Sequence, residues 1–201
     1  MIGRVLKIRG AKAAAVLALL LAGCGHTPPT TFFTLDPVAG SAPAPGASMA
    51  PIRVQSVHLP PEFDRPQLIT RPGGGDQVRL HEFAQWAGPV GALARNALTL
   101  DLSSRLPAGA VIAPDAPRPA NTRLLTVDIL ALRLTGGEAQ VTAIWTLAAP
   151  APSKGPAPAA VSQTERFSVP AGSTDDPAAE AEALTRVLGV LSDRMVRALS
   201  V

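Results

Sequence analysis

Leu21-Ala22-Gly23-Cys24 constrains this chain more than any other stretch, because it takes up the one cysteine among 201 residues. Arg4, Lys7, Arg9 and Lys12 come first, then an apolar run from Ala13 to Ala22, then small residues up to the cysteine. A basic opening, a short apolar core and a small-residue cut site describe a secretory signal peptide. The competing reading is a transmembrane helix with an incidental cysteine. A span needs about 20 apolar residues, and this run is shorter and ends in Gly23-Cys24-Gly25-His26. With a cysteine at the cut, the quartet looks like a bacterial lipobox. Residues 1–23 are therefore expected to leave as a lipoprotein signal peptide. Cys24 is expected to carry a diacylglycerol on sulfur and an acyl group on its new amine, with no other cofactor. Gly25 stands where aspartate would favour the inner membrane by resemblance to enteric lipoproteins, so the expected address is the periplasmic face of the outer membrane.

Spending Cys24 on lipid removes any disulfide framework or thiolate metal site. The mature chain must hold together by packing alone, and its length suits one ordinary domain. Charge also changes with the signal. The full chain has 18 basic and 15 acidic residues. Losing Arg4, Lys7, Arg9 and Lys12 leaves 14 against 15, a net charge of −1. A near-neutral chain has no electrostatic case for nucleic acid or for a polybasic membrane surface.

Past Cys24, Thr31-Phe32-Phe33-Thr34-Leu35 is a short strand candidate, and Asp36 to Pro51 has no periodicity and is rich in Pro, Ala, Gly and Ser. Residues 24–51 are read as a lipidated N-terminus, a short strand and a flexible linker that lets the domain stand clear of the bilayer. The domain proper is placed at 52–201. Ile52 and Val54 alternate with polar residues, then Val57 and Leu59 take the opposite phase, which predicts a bulge near Ser56. Pro60-Pro61 stops that strand. Leu68 to Arg71 and a strand from Val78 to about Phe83 flank the turn Pro72-Gly73-Gly74-Gly75-Asp76. The glycine run lacks the Lys-Ser/Thr of a phosphate-cradling loop.

Trp86 to Leu106 reads as a helix, with Val90, Leu93, Ala94, Ala97, Leu98 and Leu102 at helical spacing, Pro89 in its first turn, and Asp101 and Arg105 paired on its outer face. Ala110 to Ala113 is a short strand candidate. Arg123 to Leu134 and Glu138 to Ala148 form a hairpin about Gly136-Gly137. Leu130, Leu132 and Leu134 run out of phase with Leu125, Val127 and Ile129, so the first arm is either bulged or covered on both faces. Pro150 to Pro158 is a loop tip, and Val161 to Val169 a further strand. Asp176-Pro177 caps a last helix whose stripe is Leu184, Val187, Leu188, Leu191, Met195 and Leu199, with Glu180 and Glu182 early and Arg194 and Arg197 late. Strands, helix, strands, helix give an α/β fold: a single domain, a mixed β-sheet with two long helices packed on it.

Catalytic signatures are missing. His26, His58 and His81 are the only histidines and no pair has metal spacing; there is no Gly-x-Ser-x-Gly, His-Glu-x-x-His or P-loop. Trp86 and Trp145 read as core residues. The remaining stretch of interest is Val57 to Arg71, which concentrates Pro60, Pro61, Asp64, Arg65 and Pro66 between two apolar strand ends. On spacing alone it is a rigid crossover loop.

Leu59-Pro60 with Asp64-Arg65-Pro66-Gln67-Leu68-Ile69-Thr70-Arg71 resembles the ABC-type transport auxiliary lipoprotein family. The resemblance extends to Phe33-Thr34-Leu35 for the family's early aromatic-x-Leu strand. Trp86-Ala87-Gly88-Pro89-Val90 stands for its Trp-Ala-x-Pro-Leu helix start, with valine for leucine, and Ala143-Ile144-Trp145-Thr146-Leu147 for a later strand. It implies a non-enzymatic periplasmic lipoprotein that serves an MCE-domain protein, sometimes with the ATPase and permease of an ABC transporter, in moving lipids or other hydrophobic compounds. Pro60, Asp64, Arg65, Pro66 and Gln67 are the expected partner-binding residues; homo-oligomerisation stays open. The rivals are a structural or pilotin-like assembly lipoprotein, a direct lipid carrier and an unrecognised hydrolase.

Overall fold

The computed structural model describes residues 28–40, 49–150 and 159–199. The expected signal peptide, Cys24, the middle of the linker and most of the Pro150 to Pro158 tip lie outside the described residues. The strands are β1 (Thr31–Phe33), β2 (Ile52–His58), β3 (Gln67–Thr70), β4 (Arg79–Trp86), β5 (Val111–Ile112), β6 (Arg123–Thr135), β7 (Glu138–Ala148) and β8 (Val161–Pro170). Two helices accompany them, α1 (Val90–Arg105) and α2 (Pro177–Leu199). The single α/β domain with mixed strands and two long helices is as expected. Its strands are divided between a five-stranded sheet, order β5-β2-β6-β7-β8, and a three-stranded sheet, order β1-β4-β3.

In the larger sheet β2 runs parallel to β5 and β6, while β6, β7 and β8 form an antiparallel meander. Both sequence phase switches are bulges: the register shifts between Val54 and Ser56 and again between Ile129 and Ala131. The second leaves Leu130 exposed and returns Leu132 to the core. Gly136 and Gly137 both have positive φ, which the tight turn joining β6 to β7 requires and which glycine adopts without steric cost. The alternation in β7 sorts its faces cleanly. Ala139, Val141, Ala143, Trp145 and Leu147 are buried beneath the helices, and Gln140, Thr142, Ile144 and Thr146 form the opposite face.

Helix α2 follows its predicted stripe. Leu184, Val187, Leu188, Leu191 and Met195 are all buried, and Asp176 Oδ1 accepts from the Ala178 amide at 2.9 Å to cap the start. Helix α1 begins four residues later than expected. β4 continues to Trp86, because its amide donates to Pro66 O at 2.7 Å and Phe33 pairs with Trp86 in parallel register. Pro89 has ψ 119° and is the residue before the helix, outside its first turn.

Asp101 and Arg105 depart from the outer-face expectation. Both are buried, because α2 and the segment after β1 cover that side of α1. Arg105 Nε donates to Asp193 of α2 at 2.6 Å, and its Nη1 donates to Val38 O at 2.9 Å and Asp101 O at 3.0 Å. Asp101 Oδ1 accepts from the Val38 amide at 2.6 Å. Val38 also lies so close to α2 that a Cβ on Gly189 would meet its side chain at 2.8 Å. Leu35 is buried in the same core. At the far end of the expected linker Met49 packs against the core, and Arg123 donates from its side chain to Ala50 O and from its amide to Pro51 O. Packed chain thus begins at β1, ahead of Ile52, and the described ends of the 36–51 segment are fastened to the domain.

Candidate functional site

The crossover from β2 to β3 is held from beneath and presented from above. Pro61–Phe63 forms one 3-10 turn, in which the Phe63 amide donates to Pro60 O and the Asp64 amide to Pro61 O. Phe63 is 3% exposed and plugs the loop into the core, and Pro60 is buried with it. Glu62 on the turn accepts from Arg71 at the end of β3 at 2.8 Å, bracing both feet of the loop. Asp64, Arg65 and Pro66 are exposed, and Gln67 is half-buried at the start of β3. Asp64 and Arg65 do not pair with each other; among the described residues no ion pair or side-chain hydrogen bond engages either one. Of the five expected residues, Asp64, Arg65 and Pro66 form an exposed tip tied to β4 through the Pro66 carbonyl, Gln67 stands at its edge and Pro60 serves as its foundation.

Beside this tip lies an open groove of about 310 Å³, lined by Val57, His58, Leu59, Pro61, Asp64 and Val90. His58 Nδ1 sits 2.7 Å from Asp128 Oδ1 across the β2–β6 ladder. That pair fixes the rim of the groove, and sequence spacing offered no hint of it, since the partners are 70 residues apart. The tip, the groove and the His58–Asp128 pair occupy one end of the molecule. The chemistry they offer is recognition: a rigid proline-rich tip, a guanidinium fork with open donors, a carboxylate and a shallow apolar floor. Among the described residues no group of three or more His, Cys, Asp or Glu side chains could hold a metal. No described helix is long and apolar enough to cross a membrane.

A second polar feature lies where the two sheets meet. Glu180, in the first turn of α2, is 3% exposed and faces a cavity of about 20 Å³ that Phe63, Ile69, Thr70, Leu132 and Leu134 help to line. Burial drives its carboxyl from 4.5 up to about 8; the Ile69 amide and Arg71 favour the anion but do not outweigh burial, and neither oxygen gains a hydrogen bond of ordinary geometry. Asp101 is the milder case. Burial raises it from 3.8 to about 6, the Val38 amide and Arg105 work against that rise, and Asp193 adds to it. Both acids were visible in the sequence. Glu180 is one helical turn before Leu184, and Asp101 one turn after Ala97, so each falls on its helix's apolar stripe.

A family model described as ABC-type transport auxiliary lipoprotein component matches residues 33–196. The fold resembles a crystal structure described only as that of an uncharacterized protein, with TM-score 0.64 and 16% identity over 86% of this chain and 99% of that one. It also resembles a protein from Xanthomonas campestris of the DUF330 family, with TM-score 0.55 and 19% identity over 83% of this chain and 95% of that one. No curated protein matches the sequence.

Proposed function

The chain belongs to the family of ABC-type transport auxiliary lipoprotein components, and from that membership we propose that it is a non-enzymatic accessory of an MCE-type transport system that moves lipids or other hydrophobic compounds across the envelope. Cys24 carries the acyl anchor, at the periplasmic face of the outer membrane. The Asp64-Arg65-Pro66-Gln67 tip docks the partner, an MCE-domain protein or a subunit of its ABC transporter. The observation that carries this reading is the family match from residue 33 to 196, which spans the tip, α1 and all but the last three residues of α2. The tip's geometry supports the docking role. A loop already fixed by proline and by the Glu62–Arg71 brace loses little conformational entropy on binding, and a guanidinium with unused donors engages a carboxylate or backbone carbonyls. The cavity of about 20 Å³ under Glu180 is about the size of one water site, too small to enclose an acyl chain there.

Arg65→Ala tests the docking role when measured twice. Because Arg65 is exposed and makes no ion pair or side-chain hydrogen bond among the described residues, stability stays within about 0.5 kcal/mol of the parent. Capture of the partner falls roughly 10- to 100-fold, the range of a lost arginine anchor. Unweakened capture by a normally folded variant removes Arg65 from the contact surface, and lowered melting makes it an internal brace.

A further inference from the structure

The chain places very little length between the anchor and the folded domain. β1 is hydrogen-bonded into the three-stranded sheet, and the Ala87 amide just past β4 donates to Phe33 O at 2.8 Å. The residues that follow β1 are fastened to the domain by Val38, Asp101 and Arg105, so only the chain ahead of β1 counts as tether. Seven residue steps separate Cys24 from Thr31. Even fully extended they reach no more than about 25 Å. A domain of about 150 residues has a radius of gyration of about 15 Å, and so a diameter of about 38 Å. The leash is shorter than the body it holds. Whatever surrounds β1 must lie close to the bilayer.

What surrounds β1 is aromatic. Phe32 is 63% exposed and pairs in register with Gln85 of β4; Phe83, two residues earlier on the same face, is 39% exposed. Their neighbours Ala84 and Trp86 point the other way and are buried, so the two phenylalanines project from the outward face of the three-stranded sheet. Leu80 on β4 and Val78 just before it are exposed as well, at the far end of that strand, whereas Leu100, Leu130 and Val161 sit singly on α1, β6 and β8. An apolar pair at the point where an acylated chain enters its domain is placed to sink into the boundary between headgroups and acyl chains. We propose that the outward face of the three-stranded sheet, marked by Phe32 and Phe83, rests on the phospholipid surface that holds the anchor. The contact orients the domain, and because Gln67 and Phe32 both pair with Gln85, the docking tip stands at the edge of that face, where it meets a partner beside the membrane. The contact rests on the acylation of Cys24 proposed above.

The test uses full-length protein purified from membranes and reconstituted into phosphatidylethanolamine–phosphatidylglycerol vesicles with brominated acyl chains. Phe32→Trp and Val161→Trp are compared with the parent, whose Trp86 and Trp145 are buried and supply a constant background. An interfacial face lies about 5–10 Å into the headgroup region, so Phe32→Trp emission is quenched roughly threefold more strongly than Val161→Trp emission. Equal quenching at the two positions, or none, overturns the proposal. So does a blue shift of Phe32→Trp in detergent that grows with protein concentration, because a second copy then covers the face. The mass of the N-terminal peptide reports the anchor separately. An unacylated Cys24 removes the premise, whereas an acylated chain without quenching at 32 leaves the anchor standing and overturns only the membrane contact.

Discussion

Arg105→Ala is expected to destabilise the domain by about 3–5 kcal/mol, the cost of removing one partner from a buried charged pair. The arginine side chain is 4% exposed and ties together three separate pieces of chain: Asp193 on α2, Val38 after β1, and Asp101 on its own helix. Its loss leaves Asp101, wholly buried, without the nearby positive charge at 3.6 Å, and leaves Val38 O without its donor. Restoring neutrality should recover part of the loss. In Arg105→Ala/Asp101→Asn the uncharged amide oxygen still accepts from the Val38 amide, and the double variant should be less unstable than the sum of the two singles. Urea unfolding of the four proteins of this cycle reads the coupling directly. A cost below about 1 kcal/mol for Arg105→Ala is what a surface pair gives, and it would mean that the segment after β1 is not held by this cluster.

Glu180→Gln is expected to act in the opposite direction, stabilising the domain by about 2–4 kcal/mol at pH 8. The folded carboxyl titrates at about 8, against an ordinary value of 4.5. Between those two values the unfolded chain binds fewer protons than the folded one, so stability falls as pH rises, and it is level on either side of the window. Each tenfold change in proton affinity is worth about 1.36 kcal/mol, so the charge alone could cost about 4–5 kcal/mol. An amide that buries its own unmet donors returns some of that gain. Asp101, raised to about 6, adds a smaller decline of the same sign in the more acidic part of the range. From these two groups the parent should hold its stability up to about pH 4 and lose it progressively toward pH 8. In Glu180→Gln most of that slope disappears. Parallel pH profiles for the two proteins would show that Glu180 is not the titrating group.

What the sequence disclosed and what it concealed divide along a physical line. Local stereochemistry was legible: the bulge at Ser56, the out-of-phase leucines of β6, the Gly136-Gly137 turn and the α2 stripe each follow from neighbouring residues. Pairing partners were not. Nothing near Phe33 announces that it will lie beside Trp86, and that pairing both extends β4 and delays α1. The division of strands into two sheets depends on the β3–β4 register, which skips between Gln67↔Gln85 and Ile69↔Leu80; no alternation rule anticipates such a jump. The buried acids were hidden by a habit of reading charge as exposure, although the spacing of Asp101 and Glu180 had already placed them on apolar faces. At the candidate site the sequence picked out the Pro60 to Gln67 loop but not its support. Phe63 as a plug, the Glu62–Arg71 brace and His58–Asp128 at the groove rim all depend on contacts that only the folded chain creates.

The central claim, an anchored accessory of an envelope transporter, is tested most directly by capture from intact envelopes. Cells carrying the parent, Cys24→Ser or Arg65→Ala are cross-linked before lysis, and the partners recovered with each chain are quantified by mass spectrometry. The account predicts that the acylated parent brings down an MCE-domain protein together with subunits of an ABC transporter. Cys24→Ser should lose them along with its place in the outer-membrane fraction, and Arg65→Ala should lose them while remaining anchored. An acylated, membrane-bound parent that recovers only components of another assembly machine would contradict the account.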